Sequence, residues 1–273
     1  MERREESLGG RTAVVTGAAG AIGSGICGAL MREGCRVAAT DIASGPLDAL
    51  VAELGKLGPE RIMGVRLDVT DEASVAAGFD KVVEAWGRVD ITVVNAGAAM
   101  VASLFDIDLA AFRKLERINV EGTLFTLRQA GRRMRDQQTG GDIVVVSTKN
   151  VFAPGANFGA YSATKAAAHQ LARIASLEFA PLGIRVNMVS PDAVFGEGTH
   201  KSGLWAEVGP SRMKARGLDE KGLEEYYRDR NLLKARVTAE HVANAVLFFV
   251  KRQTPTTGAT LPVDGGLPDA TPR

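Results

Sequence analysis

"TAVVTGAAGAIGSGICGALMREGCRVAATD", residues 12–41, sets out the folding rule for the whole chain. Its two ends, 12–16 and 36–40, are short runs of β-branched and small apolar residues with no apolar/polar alternation. That pattern belongs to strands covered on both faces. The middle, 22–33, reads as a helix, and a helix joining two neighbouring strands makes them parallel with a right-handed crossover. Gly17 permits the tight turn after the first strand, and Gly23 lets helix and strand approach closely. The backbone N–H groups at the helix start then point beyond the strand's carboxyl end, where they suit an anionic group.

The same rhythm continues to the C-terminus. Further strands are read at 61–67, 90–95, 142–147, 184–190 and 259–263, and helices at 46–56, 72–86, 107–136, 159–181 and 239–251. No repeat, Pro-rich linker or low-complexity stretch divides the chain, so residues 1–273 are expected to form one α/β domain. Its architecture is a doubly wound parallel sheet of about seven strands with helices on both faces. Ligands in such sheets bind beyond the carboxyl ends of the strands, where strand order reverses. One stretch breaks the rhythm. Nearly fifty residues follow Ser190 before the next helix at 239, and 192–236 is expected to be a lid over a binding site.

Composition narrows the function. A formal net charge of +1 removes the basic signature of a nucleic-acid binder. "MERREESLGG" (1–10) lacks the apolar core of a signal peptide, and no apolar run is long enough to span a membrane. Cys27 and Cys35 have neither metal-site nor redox spacing, and the three histidines form no metal-ligand pattern. A cytoplasmic protein without a metal is the expectation. Asp41 closes the second strand, 24 residues after Gly17. A carboxylate there can accept the hydroxyls of an adenosine ribose and repel a 2′-phosphate, and the glycine turn holds no Arg or Lys to neutralise one. The residues therefore favour NAD over NADP. A strand-end turn former is the plainer reading of Asp41.

"TGAAGAIG" (16–23), "LDV" (67–69), "NAG" (95–97), "INVEG" (118–122), "YSATK" (161–165) and "VDGG" (263–266) follow one another in this order. Together they resemble the short-chain dehydrogenase/reductase superfamily along nearly the whole chain. The resemblance implies a Rossmann-type fold and a nicotinamide cofactor held by Gly17, Ala19, Gly20, Ala21, Ile22, Gly23, Asp41, Ile42, Asp68, Val69, Asn95, Ala96, Gly97, Pro191, Ala193 and Val194. Tyr161 and Lys165, at i and i+4, share one helix face. A free phenol titrates at about 10, too high for a good base at neutral pH, and a nearby ammonium would lower that value. In the family the tyrosine exchanges the proton with the alcohol or carbonyl oxygen, and the lysine also holds the nicotinamide ribose. Thr148, 13 residues before Tyr161, stands where the family usually has a serine hydroxyl for the substrate oxygen. Ser147 is the second choice, pointing to the opposite side of an extended strand. Asn119 matches the asparagine that holds a water in the proton relay. A homotetramer packed through long helices is also implied.

The chain departs from the family pattern at Ala21, at Val94 and in "PDAVF" (191–195). "TKN" (148–150), "PDAVF" and "LEEYYRDRNLLK" (223–234) resemble the dehydrogenase half of bifunctional rhamnulose-phosphate aldolase/lactaldehyde dehydrogenase proteins. That likeness points to a sugar, a deoxysugar or a small hydroxyaldehyde. Lys149, Asn150, Asp192, Phe195 and Trp205 are the candidate substrate contacts, and His200, Lys201 or Arg212 with Lys149 are candidates for an anionic group. A hydrophobic alcohol such as a steroid is the alternative substrate, with Phe195, Leu204 and Trp205 lining an apolar pocket. A dinucleotide sensor without chemistry is the alternative class.

Overall fold

The structure, a computed structural model, describes residues 8–197 and 200–267, with the side chains of 197, 200 and 201 outside that description. The reading of the extreme N-terminus and part of the 192–236 segment lie outside it. Seven parallel strands form one sheet in the order β3-β2-β1-β4-β5-β6-β9. They are β1 (Thr12–Thr16), β2 (Arg36–Asp41), β3 (Ile62–Arg66), β4 (Ile91–Val94), β5 (Gly141–Val146), β6 (Ile184–Pro191) and β9 (Thr260–Val263). Strand order reverses between β1 and β4, which pair in parallel through Ala13–Ile91 and Val15–Val93.

The apolar runs belong to two cores. Ala13 and Val15 of β1 pack with α1 (Ala21–Arg32) and α9 (Ala239–Val250), while Val14 packs on the other face with α3 (Glu72–Trp86) and α5 (Gly122–Asp136). In β5, Val144 and Val146 face the first layer, and Ile143 and Val145 face the second. Every residue of β1 and β5 is buried, so alternation in hydrophobicity would have no physical purpose. Helix α2 (Ser44–Leu54) covers the edge near β3, and α6 (Gly159–Phe179) lies against β6.

Two expectations need correction. The helix expected over 107–136 is two helices, α4 (Leu109–Glu116) and α5, joined by a π-helical turn at Arg117–Glu121. There the Thr123 hydroxyl donates to the Asn119 carbonyl at 2.7 Å, and the Thr126 hydroxyl to the Gly122 carbonyl at 2.7 Å. Such turns wind the backbone out of register without breaking the helical course, so apolar periodicity hides them.

The segment after Ser190 also carries structure of its own. After the hairpin of β7 (Gly196–Glu197) and β8 (His200–Lys201), it contains α7 (Gly203–Arg216) and α8 (Glu220–Asp229). The Ser202 hydroxyl accepts from the Trp205 amide and the Asp219 carboxylate from the Gly222 amide, so each helix starts on a side-chain cap. Gly203, Gly209 and Pro210 disguise α7 in the sequence.

Candidate active site

Beyond the carboxyl ends of the strands, at the β1/β4 reversal, lies a cavity of about 830 Å³. Its floor is built from strand termini. The turn after β1 places Gly17 at φ +62°, where its absent side chain leaves room for the Ala96 backbone 2.8 Å from the ideal Cβ position. At Gly23 an ideal Cβ would stand 2.2 Å from the Gly17 carbonyl oxygen. Helix α1 starts at Gly20 without a side-chain cap and has no carboxylate in its first turn. Asn95 fastens the turn after β4 to this loop, its Nδ2 donating to the carbonyls of Thr16 and Gly17 at 2.9 Å each.

Asp41 and Ile42 line the same cavity at the end of β2. The Asp41 carboxylate accepts from the amides of Ala19 and Ala43, at 3.0 Å each. Asp41 is therefore a turn former that also lines the cavity. The Asp68 carboxylate accepts from the amide and hydroxyl of Thr70 at 2.8 Å each, which fixes the loop bearing Asp68 and Val69.

On the opposite side, Tyr161 and Lys165 rise from one face of α6, 7 % and 8 % exposed. Burial decides their acidity. The Tyr161 phenol is pushed up to about 12, partly offset by its hydrogen bond with the Thr148 hydroxyl. The Lys165 ammonium is pushed down to about 8 by the same desolvation. It donates to the Val146 carbonyl at 2.9 Å, at the end of β5. Desolvation is the largest influence on both groups, and the ammonium engages a carbonyl. Thr148 is the hydroxyl beside Tyr161. Ser147 faces away, its Oγ 2.9 Å from Nδ1 of His169, whose Nε2 lies 3.4 Å from the Thr260 hydroxyl.

Nearly all the residues singled out from the sequence line this one cavity, including Gly17, Ala21, Ile22, Val69, Gly97, Lys149, Asn150, Ala193, Val194 and Trp205. Three do not. Ala19 turns its amide to Asp41. Asn119 is 1 % exposed, its Oδ1 accepting from the Ala98 amide and its Nδ2 donating to the Ala98 carbonyl and the Thr164 hydroxyl, at 2.9, 2.9 and 3.0 Å. Its side chain braces the loop after Gly97 and is not turned to the cavity. Phe195 lies behind Trp205, the rings stacked at 4.3 Å.

Asp192 does line the cavity, but its carboxylate is bound by Arg230. That removes it as a free acceptor for substrate hydroxyls. Sequence reasoning missed Arg230, Tyr227 and Phe158, which also line the cavity. Tyr227 stands edge-on to Trp205 at 4.9 Å, and Phe158 lies 6.1 Å from the Tyr161 ring. The crowding of aromatic residues in "NFGAY" and "EEYYRDR" was the available signal.

The family model for short chain dehydrogenase matches residues 11–206. The chain belongs to the short chain dehydrogenase family. This short chain dehydrogenase is 36 % identical over 270 residues to the uncharacterized oxidoreductase YuxG of Bacillus subtilis, covering 97 % of this chain but 38 % of that relative's length. It is 34 % identical to the mitochondrial (-)-isopiperitenol/(-)-carveol dehydrogenase of Mentha piperita, over 96 % of this chain and 95 % of that one. A sorbitol dehydrogenase of Cereibacter sphaeroides is 36 % identical over 77 % of this chain and 80 % of its own. Among solved structures, sorbitol-6-phosphate 2-dehydrogenase from Erwinia amylovora superposes with a TM-score of 0.85 at 28 % identity, over 93 % of this chain and 98 % of that one. Among the described residues no helix is long and apolar enough to cross a membrane, and no cluster of His, Cys, Asp and Glu is placed to hold a metal ion.

Proposed function

We propose that this short chain dehydrogenase is an NAD-dependent oxidoreductase interconverting a secondary alcohol or lactol with its carbonyl or lactone, on a sugar, polyol or small hydroxyaldehyde. The observation that carries the reading is the buried Tyr161–Lys165 face of α6, set beside Thr148 on the wall of the strand-end cavity.

The residues fit a nicotinamide dinucleotide. The glycine turn leaves space that side chains would fill, and the uncapped start of α1 offers amides to a diphosphate. The Asp41 carboxylate, held by two amides, is the acceptor for ribose hydroxyls and opposes a 2′-phosphate, which supports NAD. When bound, the dinucleotide supplies the hydride acceptor or donor. Thr148 holds the substrate oxygen, and Tyr161 exchanges the proton with it. Lys165 is anchored by Val146 at the height of Gly97, whose ideal Cβ position is 3.4 Å from Nζ. There it reaches the ribose and supports the ionised phenol. The excursion 192–236 acts as the lid that keeps water out.

Polyhydroxy substrates are favoured by Asn150, whose buried Oδ1 has no hydrogen-bond partner although the residue lines the cavity. The sorbitol dehydrogenase relative and the sorbitol-6-phosphate 2-dehydrogenase neighbour support the same class. A second reading, a cyclic hydrophobic alcohol, is favoured by Trp205, Tyr227 and Phe158 on the cavity wall and by the carveol dehydrogenase relative. We further propose a tetramer packed through α5 and α6, where Leu124, Ile174 and Leu177 are exposed.

The test is appearance of the reduced-nicotinamide absorbance with NAD and with NADP across polyols, aldoses, hydroxyaldehydes and cyclic alcohols. Turnover on polyols or sugars with NAD is expected. Bound cofactor without turnover on any member would refute the enzymatic reading.

A further inference from the structure

Arg212 lines the cavity from α7, with no carboxylate among the described residues paired to its charge. Its guanidinium carbon lies 5.0 Å from the centroid of the Phe158 ring, and that ring meets Tyr161 at 6.1 Å. Its Nε is buried without a hydrogen-bond partner, and among the described residues no carboxylate pairs with it. A half-buried guanidinium with a buried donor unmet is an expensive arrangement unless something accepts from it. The neighbouring charges do not fill that role. Glu207 also lines the cavity but is exposed and forms no ion pair with Arg212. The Lys149 ammonium donates to the Ala153 carbonyl at 2.9 Å, and Arg230 is already matched by Asp192.

We propose that Arg212 receives an anionic group of the substrate, a carboxylate or a phosphate carried at the end remote from the hydroxyl that reacts at Tyr161. The assignment rests on the oxidoreductase reading above and names its substrate class. A guanidinium presents a planar fork that matches either anion with two parallel hydrogen bonds. The Phe158 ring behind it fixes the direction of that fork by cation–π contact. One aromatic ring separates the charge from the phenol, so a substrate touching both must be at least that long. Anchoring its far end turns the reacting carbon toward Tyr161.

Trp205 lines the cavity and Trp86 closes α3 outside it, so tryptophan emission reports ligand binding there. Wild type, Arg212→Gln and Arg212→Lys are titrated, with and without NAD, using two matched pairs. These are sorbitol 6-phosphate against sorbitol, and 4-hydroxycyclohexanecarboxylate against cyclohexanol. In wild type the anionic member of at least one pair is expected to bind about ten-fold more tightly or better than its neutral partner. The pair that responds distinguishes phosphate from carboxylate. Arg212→Gln is expected to erase the preference, and Arg212→Lys to reduce it, since lysine keeps the charge without the fork. Equal affinities within both pairs, or a preference unchanged in both variants, would overturn the proposal. Melting curves check that each variant is folded, and should the glutamine variant not fold, the lysine variant decides alone. Binding through Arg212 without turnover would count against the oxidoreductase reading and leave the anion site standing.

Discussion

Arg230, just past the end of α8, grips Asp192, just past the end of β6, from 38 residues away. Its Nη2 and Nε reach Oδ2 at 2.6 and 3.2 Å, while its guanidinium lies 4.1 Å from the centre of the Tyr227 ring. The carboxylate side chain is 6 % exposed. The pair therefore fastens the helical excursion to the sheet.

Removing one member of this pair leaves a buried charge alone. Arg230→Met is expected to destabilise the chain by about 3 kcal/mol, because an uncompensated buried carboxylate costs far more than an exposed one. Adding Asp192→Asn should restore part of that loss, a coupling that thermal melting of the two single variants and the double variant measures.

Tyr161→Phe removes the hydroxyl and keeps the ring in its cluster with Phe158 and Val208. Turnover should fall by roughly 10²–10⁴-fold or more, the range of a lost general acid or base. NAD binding, followed by fluorescence titration, should stay nearly unchanged. Retained activity would remove Tyr161 from the proton step.

Asp41→Ala should raise the NADP-to-NAD ratio of kcat/KM by about ten-fold or more, since a fixed carboxylate no longer opposes a 2′-phosphate. Steady-state kinetics with both cofactors would test this. An unchanged ratio would place discrimination elsewhere.

Lys165 gives a stability signature in alkali. Its folded value of about 8 lies below the ordinary 10.5, so between these the unfolded chain holds more protons than the folded one. Stability from this group accordingly rises as pH climbs through that window, by on the order of 3 kcal/mol for a fully buried ammonium. Tyr161 works in the opposite sense above pH 10, where the unfolded phenol ionises before the folded one at about 12. Denaturant unfolding of wild type against Lys165→Met across pH 7–10 should show the wild type gaining on the variant. A flat difference would contradict the burial argument.

Neighbouring glycines should respond differently to one methyl group. At Gly23 it meets the Gly17 carbonyl at 2.2 Å, backbone that cannot rotate away, whereas at Gly20 its nearest neighbour is that same oxygen at 3.6 Å. Gly23→Ala is expected to cost about 1–3 kcal/mol and to weaken cofactor binding, while Gly20→Ala should melt close to wild type.

The strands could be read directly because each side of β1 and β5 meets its own core, which leaves an unbroken apolar run. The glycine turn and the Tyr161–Lys165 spacing were equally legible, since both are local. What escaped was non-local. No pattern in the sequence joins Asp192 to Arg230, and the proposed free carboxylate turned out to be taken. Asn119 bonds to Ala98 and Thr164, partners distant from it in the sequence. Phe195 lost its cavity position to Trp205, a choice that only ring packing makes. Desolvation of Tyr161 and Lys165 depends on everything surrounding the pair and leaves no local mark in the sequence.

Lys165 leans on the last carbonyl of β5, Asn95 follows β4 and Asp192 follows β6. The walls of the cavity thus inherit their spacing from the rungs between adjacent strands, the best protected hydrogen bonds in such a protein. Heating should consequently inactivate the molecule in two stages. Detachment of the outer helices would come first and be reversible, and permanent loss would follow only when the rungs themselves part.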